Sequence, residues 1–228
     1  MTPLSVVIIT FNEEKHIGNC LHSVRAVADE IVVVDSNSTD QTKAISEKFG
    51  VRFIEHAFEG HIEQKNFALT QATFPYVLSL DADECLSPEL TRSILFVKEH
   101  WKYDGYACNR LNNYCGKWIH HSGWYPDTKL RLFDRRKGKW GGINPHDKFE
   151  MIPGAATGFL KGDLLHYTAE TEEQFLKKMD RYTDIMAAEL FRQNKSTNLF
   201  FIYIKTGIHF IRNIFFRLGF LDGSTGWG

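Results

Sequence analysis

In the first half of the chain, short apolar runs alternate with segments whose apolar residues recur at helical spacing. The runs are Val6–Thr10, Ile31–Asp35, Val51–Glu55 and Tyr76–Leu80. Between them, Glu13–Val27 places Ile17, Leu21 and Val24 on one helical face. Ser38-Thr39-Asp40-Gln41 has the form of a capping box that opens a second helix, and Ile62–Thr73 reads as a third. After the fourth run, Ser87-Pro88 suits the N-cap and first position of a further helix reaching about His100. Such alternation predicts a parallel α/β sheet.

From Asp104 to Leu165 the pattern changes to short strand-like pieces broken by Gly, Asn, Pro and paired aromatics, an antiparallel or irregular half joined to the first without a linker. Thr171-x-x-Gln174 then caps a long amphipathic helix whose stripe of Phe175, Met179, Tyr182, Met186 and Leu190 predicts packing. There is no internal repeat and no low-complexity tract.

Composition narrows the class. The 228 residues are 43% hydrophobic and 24% charged, enough for one large domain or one domain with an appendage, and they exclude disorder, collagen and coiled coil. With 27 basic against 28 acidic side chains, the net charge of −1 argues against a dedicated nucleic-acid binder. Cys20, Cys85, Cys108 and Cys115 form no C-x-x-C pair and read as free thiols in a reducing compartment. The start of the chain lacks a basic leader, so the catalytic part is expected to be cytoplasmic. No stretch reads as the roughly 18 apolar residues of a spanning helix.

Ligands of open α/β sheets bind at the C-terminal ends of the parallel strands. Three such ends carry carboxylates here: Thr10-Phe11-Asn12-Glu13-Glu14, Asp35-Ser36-Asn37-Ser38-Thr39-Asp40 and Asp81-Ala82-Asp83-Glu84. Neither a G-x-G-x-x-G nor a P-loop is present. Asp81 and Asp83, leaving a buried strand at i and i+2, can instead offer hard oxygen ligands to Mg²⁺ or Mn²⁺, which would bridge protein to a diphosphate. In isolation an Asp-x-Asp is more often a turn or cap, and its setting after an apolar strand raises its weight.

The ordered set Val7-Ile8-Ile9-Thr10-Phe11-Asn12-Glu13-Glu14, Val33-Val34-Asp35-Ser36-Asn37-Ser38-Thr39-Asp40, Gln64-Lys65-Asn66 and Leu80-Asp81-Ala82-Asp83-Glu84 resembles the inverting glycosyltransferase family 2. The resemblance covers roughly residues 4 to 170. Tyr125-Pro126-Asp127, Leu130-Arg131-Leu132-Phe133, a His-acid pair and a late Gly-Phe-Leu-Asp-Gly make the chain look most like the bacterial lipopolysaccharide-core glucosyltransferase branch. It implies a nucleotide-diphospho-sugar transferase (GT-A-like) fold: a Rossmann-type mixed sheet with a C-terminal amphipathic helical segment. It further implies that Thr10, Asn12 and Glu13 line the nucleotide pocket, that Asp35 contacts base or ribose, that Lys65 approaches the nucleotide or its phosphates, and that Asp81 holds sugar or ribose and Asp83 the metal. Asp35 also reads as an Asx-turn residue, and Lys65 as part of a solvated helix face.

An inverting transfer needs a base for the acceptor hydroxyl, and the resemblance points to Asp147, where related chains commonly carry the longer Glu. A turn aspartate after Pro145 is its plain alternative. His166 is a second metal or phosphate ligand or a core histidine. Arg131, Tyr125 and Asp127 are acceptor or phosphate contacts, Arg131 standing out within the basic run Lys129 to Lys139, whose bland reading is a solvated loop. His120-His121 make a poor chelate.

Between Gln193 and Leu221 there is no acid, while Lys195, Lys205, Arg212 and Arg217 are basic. Lys205, His209 and Arg212 fall within about 60° on a helical wheel. Such a helix can lie on an anionic membrane surface; a core or dimer-packing helix is the alternative. The expected organisation is a catalytic domain over 1–170, its nucleotide-binding part about 1–103 and its acceptor part about 104–170, followed by helices over 171–228. The expected activity moves a sugar from a nucleotide-diphospho-sugar, with uridine the family default, to a saccharide or lipid-linked acceptor of the cell envelope. The protein would sit peripherally on the inner face of the cytoplasmic membrane. A nucleotidyltransferase and a non-catalytic nucleotide-sugar binding module are the alternatives; the acidic loop after the first strand disfavours the former.

Overall fold

The computed structural model describes residues 1–144, 146–194, 196 and 198–227, without the side chains of His146, Glu189 and 224–227. Its elements run β1 (Leu4–Thr10), α1 (Ile17–Val24), β2 (Glu30–Asp35), α2 (Thr42–Lys48), β3 (Arg52–Glu55), α3 (His61–Gln71), β4 (Tyr76–Asp81), β5 (Glu84–Leu86) and α4 (Pro88–Glu99). They continue with β6 (Gly105–Tyr114), β7 (Lys117–Ile119), β8 (Asp127–Asp134), β9 (Gly138–Ile143), β10 (His146–Met151), β11 (Thr157–Ala169), α5 (Glu172–Arg192) and α6 (Leu199–Ile211). Two compact units share the chain: Met1–Asn109 with Thr128–His166, and Arg110–Asp127 with Tyr167–Gly228.

In the first unit, β1, β2, β3 and β4 are parallel, as the strand–helix alternation requires, and β8 joins β4 antiparallel. The strand order β3-β2-β1-β4-β8-β6-β11-β5 makes a mixed sheet, while β9 and β10 form a separate hairpin. Register sets Thr10 beside Asp35 and Ile9 beside Asp81, so three strand ends finish level. Alternating side chains explain the core: Val7, Val32, Val34 and Val77 of the strands pack with Ala68, Leu69, Phe133, Trp140 and Phe149. The Phe149 ring stacks on Phe133 at 3.6 Å between centroids and so ties the hairpin to this core.

Local chemistry moved two helix starts. Instead of beginning at Glu13, α1 begins at Ile17, because the amides of Glu13 and Glu14 are taken by Thr42 Oγ1 and Asp40 Oδ2. Ser38 does not cap α2, since its hydroxyl and amide both donate to Asp35; the Thr42 amide turns to Asp40 Oδ1 instead. At α4, by contrast, Ser87 Oγ accepts from the Leu90 amide and Pro88 leads the helix, as expected. Gly162 lies close against that helix start at φ +89°, where a Cβ would collide with the Leu90 amide.

Asp29, Glu30, Asp40 and Asp134 titrate below the usual carboxylate range. Burial pushes each up, but hydrogen bonds from Lys98, from Ser5 and Thr73, from Thr42, and from Arg136 respectively outweigh it. A depressed folded-state pKa gives stability that is complete above the unfolded value and lost as pH falls through the folded one. Urea midpoints are therefore expected to hold level from neutrality to about pH 5 and to fall below about pH 4. A level midpoint through pH 3 would count against these bonds.

In the second unit, Thr171 Oγ1 accepts from the Gln174 amide at 3.3 Å, capping α5. Phe175 packs edge-on to Tyr114 at 5.0 Å, and the rest of the stripe is only half-covered: Met179, Tyr182 and Met186 are intermediate and Leu190 is exposed. In α6 no residue is buried. The helix continues through a π turn, and Leu199–Phe216 is long and apolar enough, by length and composition, to cross a membrane. This corrects the expectation that no such stretch exists, which ended the apolar run Leu199 to Ile204 at Lys205. Lys195 lies outside the described residues.

Candidate active site

Helix α3 delivers three consecutive polar side chains in three directions, as 100° per residue dictates. Gln64 Nε2 donates to Ser36 Oγ and its Oε1 meets His56 Nδ1 at 2.8 Å, fixing the loop after β2. Asn66 exchanges two hydrogen bonds with the backbone of Trp140, at 2.9 and 3.0 Å, fixing β9. Lys65, only 4% exposed, points between them to two carboxylates: Asp81 Oδ1 at 3.1 Å and Asp147 Oδ2 at 2.7 Å. Its ammonium also stands 4.6 Å from the centre of the Trp140 ring. The solvated-face reading of Lys65 is excluded by this burial.

Asp81 also meets Arg131 Nη2 at 3.0 Å, and the same nitrogen donates to Glu84 Oε1 at 2.6 Å. Glu84 is fully buried and its other oxygen accepts the Asp81 amide. Although burial opposes its charge, Glu84 and Asp81 raise the Arg131 pKa well above its ordinary value. The result is a run of alternating charge, Glu84–Arg131–Asp81–Lys65–Asp147, fully buried at Glu84 and most exposed at Asp81.

Asp83 does not join Asp81. The strand ends at Asp81, the backbone turns, and Asp83 Oδ2 faces His166 Nε2 at 3.2 Å. Among the described residues no three His, Cys, Asp or Glu side chains are grouped as a metal site. A carboxylate and an imidazole one hydrogen-bond length apart still suit a Mn²⁺ or Mg²⁺ ion that takes its remaining ligands from phosphate and water. Cys20 and Cys85 lie beneath these acids: burial, reinforced by the nearby carboxylates, pushes Cys20 well up and Cys85 to about 12. Neither is a thiolate at neutral pH.

At the first strand end, Thr10 Oγ1 is buried without a hydrogen-bond partner among the described residues. Asn12, at φ 53°, accepts the Thr39 amide at its Oδ1 and donates its own amide to Ser38 Oγ, cross-bracing the two acidic loops. Glu13 is half-buried beside it. Asp35 is 2% exposed, and both its oxygens serve Ser38, so it builds the turn that the sequence offered as its alternative.

The basic run is dispersed. Arg131 is buried, Arg135 donates to Leu69 O, and Arg136 forks onto Asp134. Tyr125 and Asp127 belong to the second unit, where Asp127 meets Arg110 Nη2 at 2.8 Å and the Tyr125 ring lies edge-on to His120. There His121 Nδ1 pairs with Asp222, from the late Gly-Phe-Leu-Asp-Gly, at 2.9 Å, a structural use. Pro145 and the His146 side chain lie outside the described residues, so the His-acid pair is seen only through Asp147. Trp140 and Glu84 carried no sequence assignment; for Trp140 the signal was its place among Gly138, Gly141 and Gly142.

The first unit thus places level, acidic strand ends of a mixed α/β sheet beside a buried run of carboxylates and cations. Residues 5–153 match the family described as Glycosyl transferase family 2, and the chain belongs to it. It is 29% identical to LpsC, a lipopolysaccharide core biosynthesis glycosyltransferase of Rhizobium meliloti, over 98% of this chain and 87% of that protein. An uncharacterized glycosyltransferase of Rickettsia typhi is 29% identical over 100% of this chain and 81% of its own. Among solved structures, a Pyrobaculum calidifontis mannosyltransferase with GDP-Man and Mn²⁺ superposes with a TM-score of 0.56 at 18% identity, over 86% of this chain and 66% of that one. Staphylococcus aureus TarS with UDP-GlcNAc gives a TM-score of 0.54 at 21% identity over 81% of this chain, which spans 66% of that fragment, less than two thirds. These likenesses establish the GT-A-type fold, and the family establishes a glycosyltransferase.

Proposed function

We propose that this glycosyltransferase moves a sugar from a UDP-sugar to a saccharide or lipid-linked acceptor in cell-envelope polysaccharide or lipopolysaccharide synthesis, inverting the anomeric centre. One observation carries the reading: Lys65 gathers the carboxylates of Asp81 and Asp147, the latter 82 positions away in sequence, beside the β1 end, where the Thr10 hydroxyl has no hydrogen-bond partner among the described residues. The names of LpsC and of the TarS complex support the envelope setting and the uridine donor.

Thr10, Asn12, Glu13 and Asp35 form the wall for the nucleotide, Lys65 meets the diphosphate, and Asp81 orients the sugar or ribose. Asp83 and His166 would hold the Mg²⁺ or Mn²⁺ ion, which as a Lewis acid supplies positive charge to the leaving diphosphate. Asp147 takes the proton of the attacking acceptor hydroxyl. Tyr125 and Asp127 are the residues offered to the acceptor; Arg131 acts through Asp81 and Glu84 as a positioning residue. The test is product stereochemistry: incubated with α-linked UDP-sugars and envelope lipid extract, the enzyme is expected to yield β-linked product by NMR. An α-linked product would contradict inversion.

The C-terminal helix gives the membrane side of the proposal. On α6 and its continuation, Lys205, His209 and Arg212 form one polar stripe, with Phe200, Ile204 and Ile211 exposed on the other side and Phe201, Ile202 and Phe216 exposed beside the stripe. A helix of this kind lies in the interface of an anionic bilayer, here on the inner face of the cytoplasmic membrane. Flotation with phosphatidylglycerol vesicles is expected to carry the wild type and to lose Lys205→Glu/Arg212→Glu. Equal flotation of both would contradict the electrostatic part.

A further inference from the structure

The ammonium of Lys65 has three donor hydrogens and three partners: the Asp81 carboxylate, hydrogen-bonded at Oδ2 at 3.4 Å with Oδ1 in ion-pair reach at 3.1 Å, Asp147 Oδ2 at 2.7 Å and the Trp140 ring at 4.6 Å. A diphosphate that engages Lys65 must therefore displace one of them. Asp81 sits on the central strand β4 and keeps Arg131 as a second cation. Asp147 has Lys65 as its one ion-pair partner among the described residues, and it stands on the β9–β10 hairpin, outside the main sheet. Asp147 is the partner that yields.

We propose that the Asp147 carboxylate and the donor diphosphate compete for Lys65, so that a bound donor frees the base. This rests on the donor reading above and adds an order to it. The Asp147 oxygen held 2.7 Å from the ammonium is occupied by that contact, and it becomes available to an acceptor hydroxyl when the cation turns away. The acceptor hydroxyl is thus activated only when the leaving diphosphate is in place. Lys65 is the positioning residue of this exchange, and Trp140 is the shelf along which its ammonium swings.

The test is calorimetric titration of UDP and of uridine into wild type, Asp147→Asn, Lys65→Met and the double variant, at one fixed Mn²⁺ concentration. Removing the competitor is expected to tighten UDP roughly fivefold or more. Uridine, which has no phosphates, is expected to bind all four alike. In the Lys65→Met background the gain from Asp147→Asn is expected to vanish. Unchanged or weaker UDP binding by Asp147→Asn would overturn the proposal, as would the same gain surviving in the double variant, which would reduce the effect to repulsion between Asp147 and phosphate. If the wild type binds no UDP at all, the donor reading fails first. Asp147→Ser serves the same comparison should Asp147→Asn melt below the wild type.

Discussion

Asp147→Asn is expected to lower sugar transfer by about 10²–10⁴-fold while the protein stays folded and still binds nucleotide. The substitution keeps the shape of the side chain and removes its capacity to take a proton. Asp147 is 9% exposed in its side chain, so asparagine meets the same space, and Lys65 retains Asp81 as a partner. Transfer measured as UDP release in the presence of acceptor separates the two properties. Full activity in this variant would remove Asp147 from the chemistry and return it to the role of an ion-pair partner for Lys65.

Arg131→Met is expected to produce the largest loss of stability of any single change in the site. The guanidinium pairs with the fully buried Glu84 at 2.6 Å and shares Asp81 with Lys65. Removing one member of a buried pair leaves an uncompensated charge and costs about 3–5 kcal/mol. For a domain of this size that lowers the melting temperature by roughly 6–20 °C. Adding Glu84→Gln removes the stranded charge and is expected to restore part of the loss. A single variant melting within about 2 °C of the wild type would mean that the charge chain does not hold the strand ends.

Strand order and chemistry differ in how far sequence shows them. The four parallel strands are visible as apolar runs because both faces of such a sheet are covered, and their ends match the observed bounds within two residues. Ser87-Pro88 was legible because an N-cap acts over three residues. The start of α1 and the cap of α2 were not, because Ser38, Asp40 and Thr42 spend their hydrogen bonds across the two acidic loops rather than within a helix. The Asp-x-Asp showed where carboxylates gather but not that the backbone turn sends Asp81 to Lys65 and Arg131 and Asp83 to His166. Arg131 read as an acceptor or phosphate contact, set apart from the basic run by its place between Leu130 and Leu132, and nothing local named its partner. Its burial against Glu84 depends on β8 pairing with β4. Trp140 and the Lys65–Asp147 pair arise only when β9 and β10 meet α3, a contact that no local pattern announces.

The central claim is that the level strand ends hold a nucleotide-diphospho-sugar beside a divalent ion. The most direct measurement is a thermal-shift panel of UDP-, GDP-, dTDP- and CMP-sugars, each with and without Mn²⁺, on the wild type and on Asp83→Ala. A ligand that binds only the native state raises the melting temperature with RT ln(1 + [L]/Kd). The account predicts a Mn²⁺-dependent rise with the UDP-sugars that Asp83→Ala loses. No rise with any nucleotide sugar, or a rise that Asp83→Ala leaves intact, would contradict it.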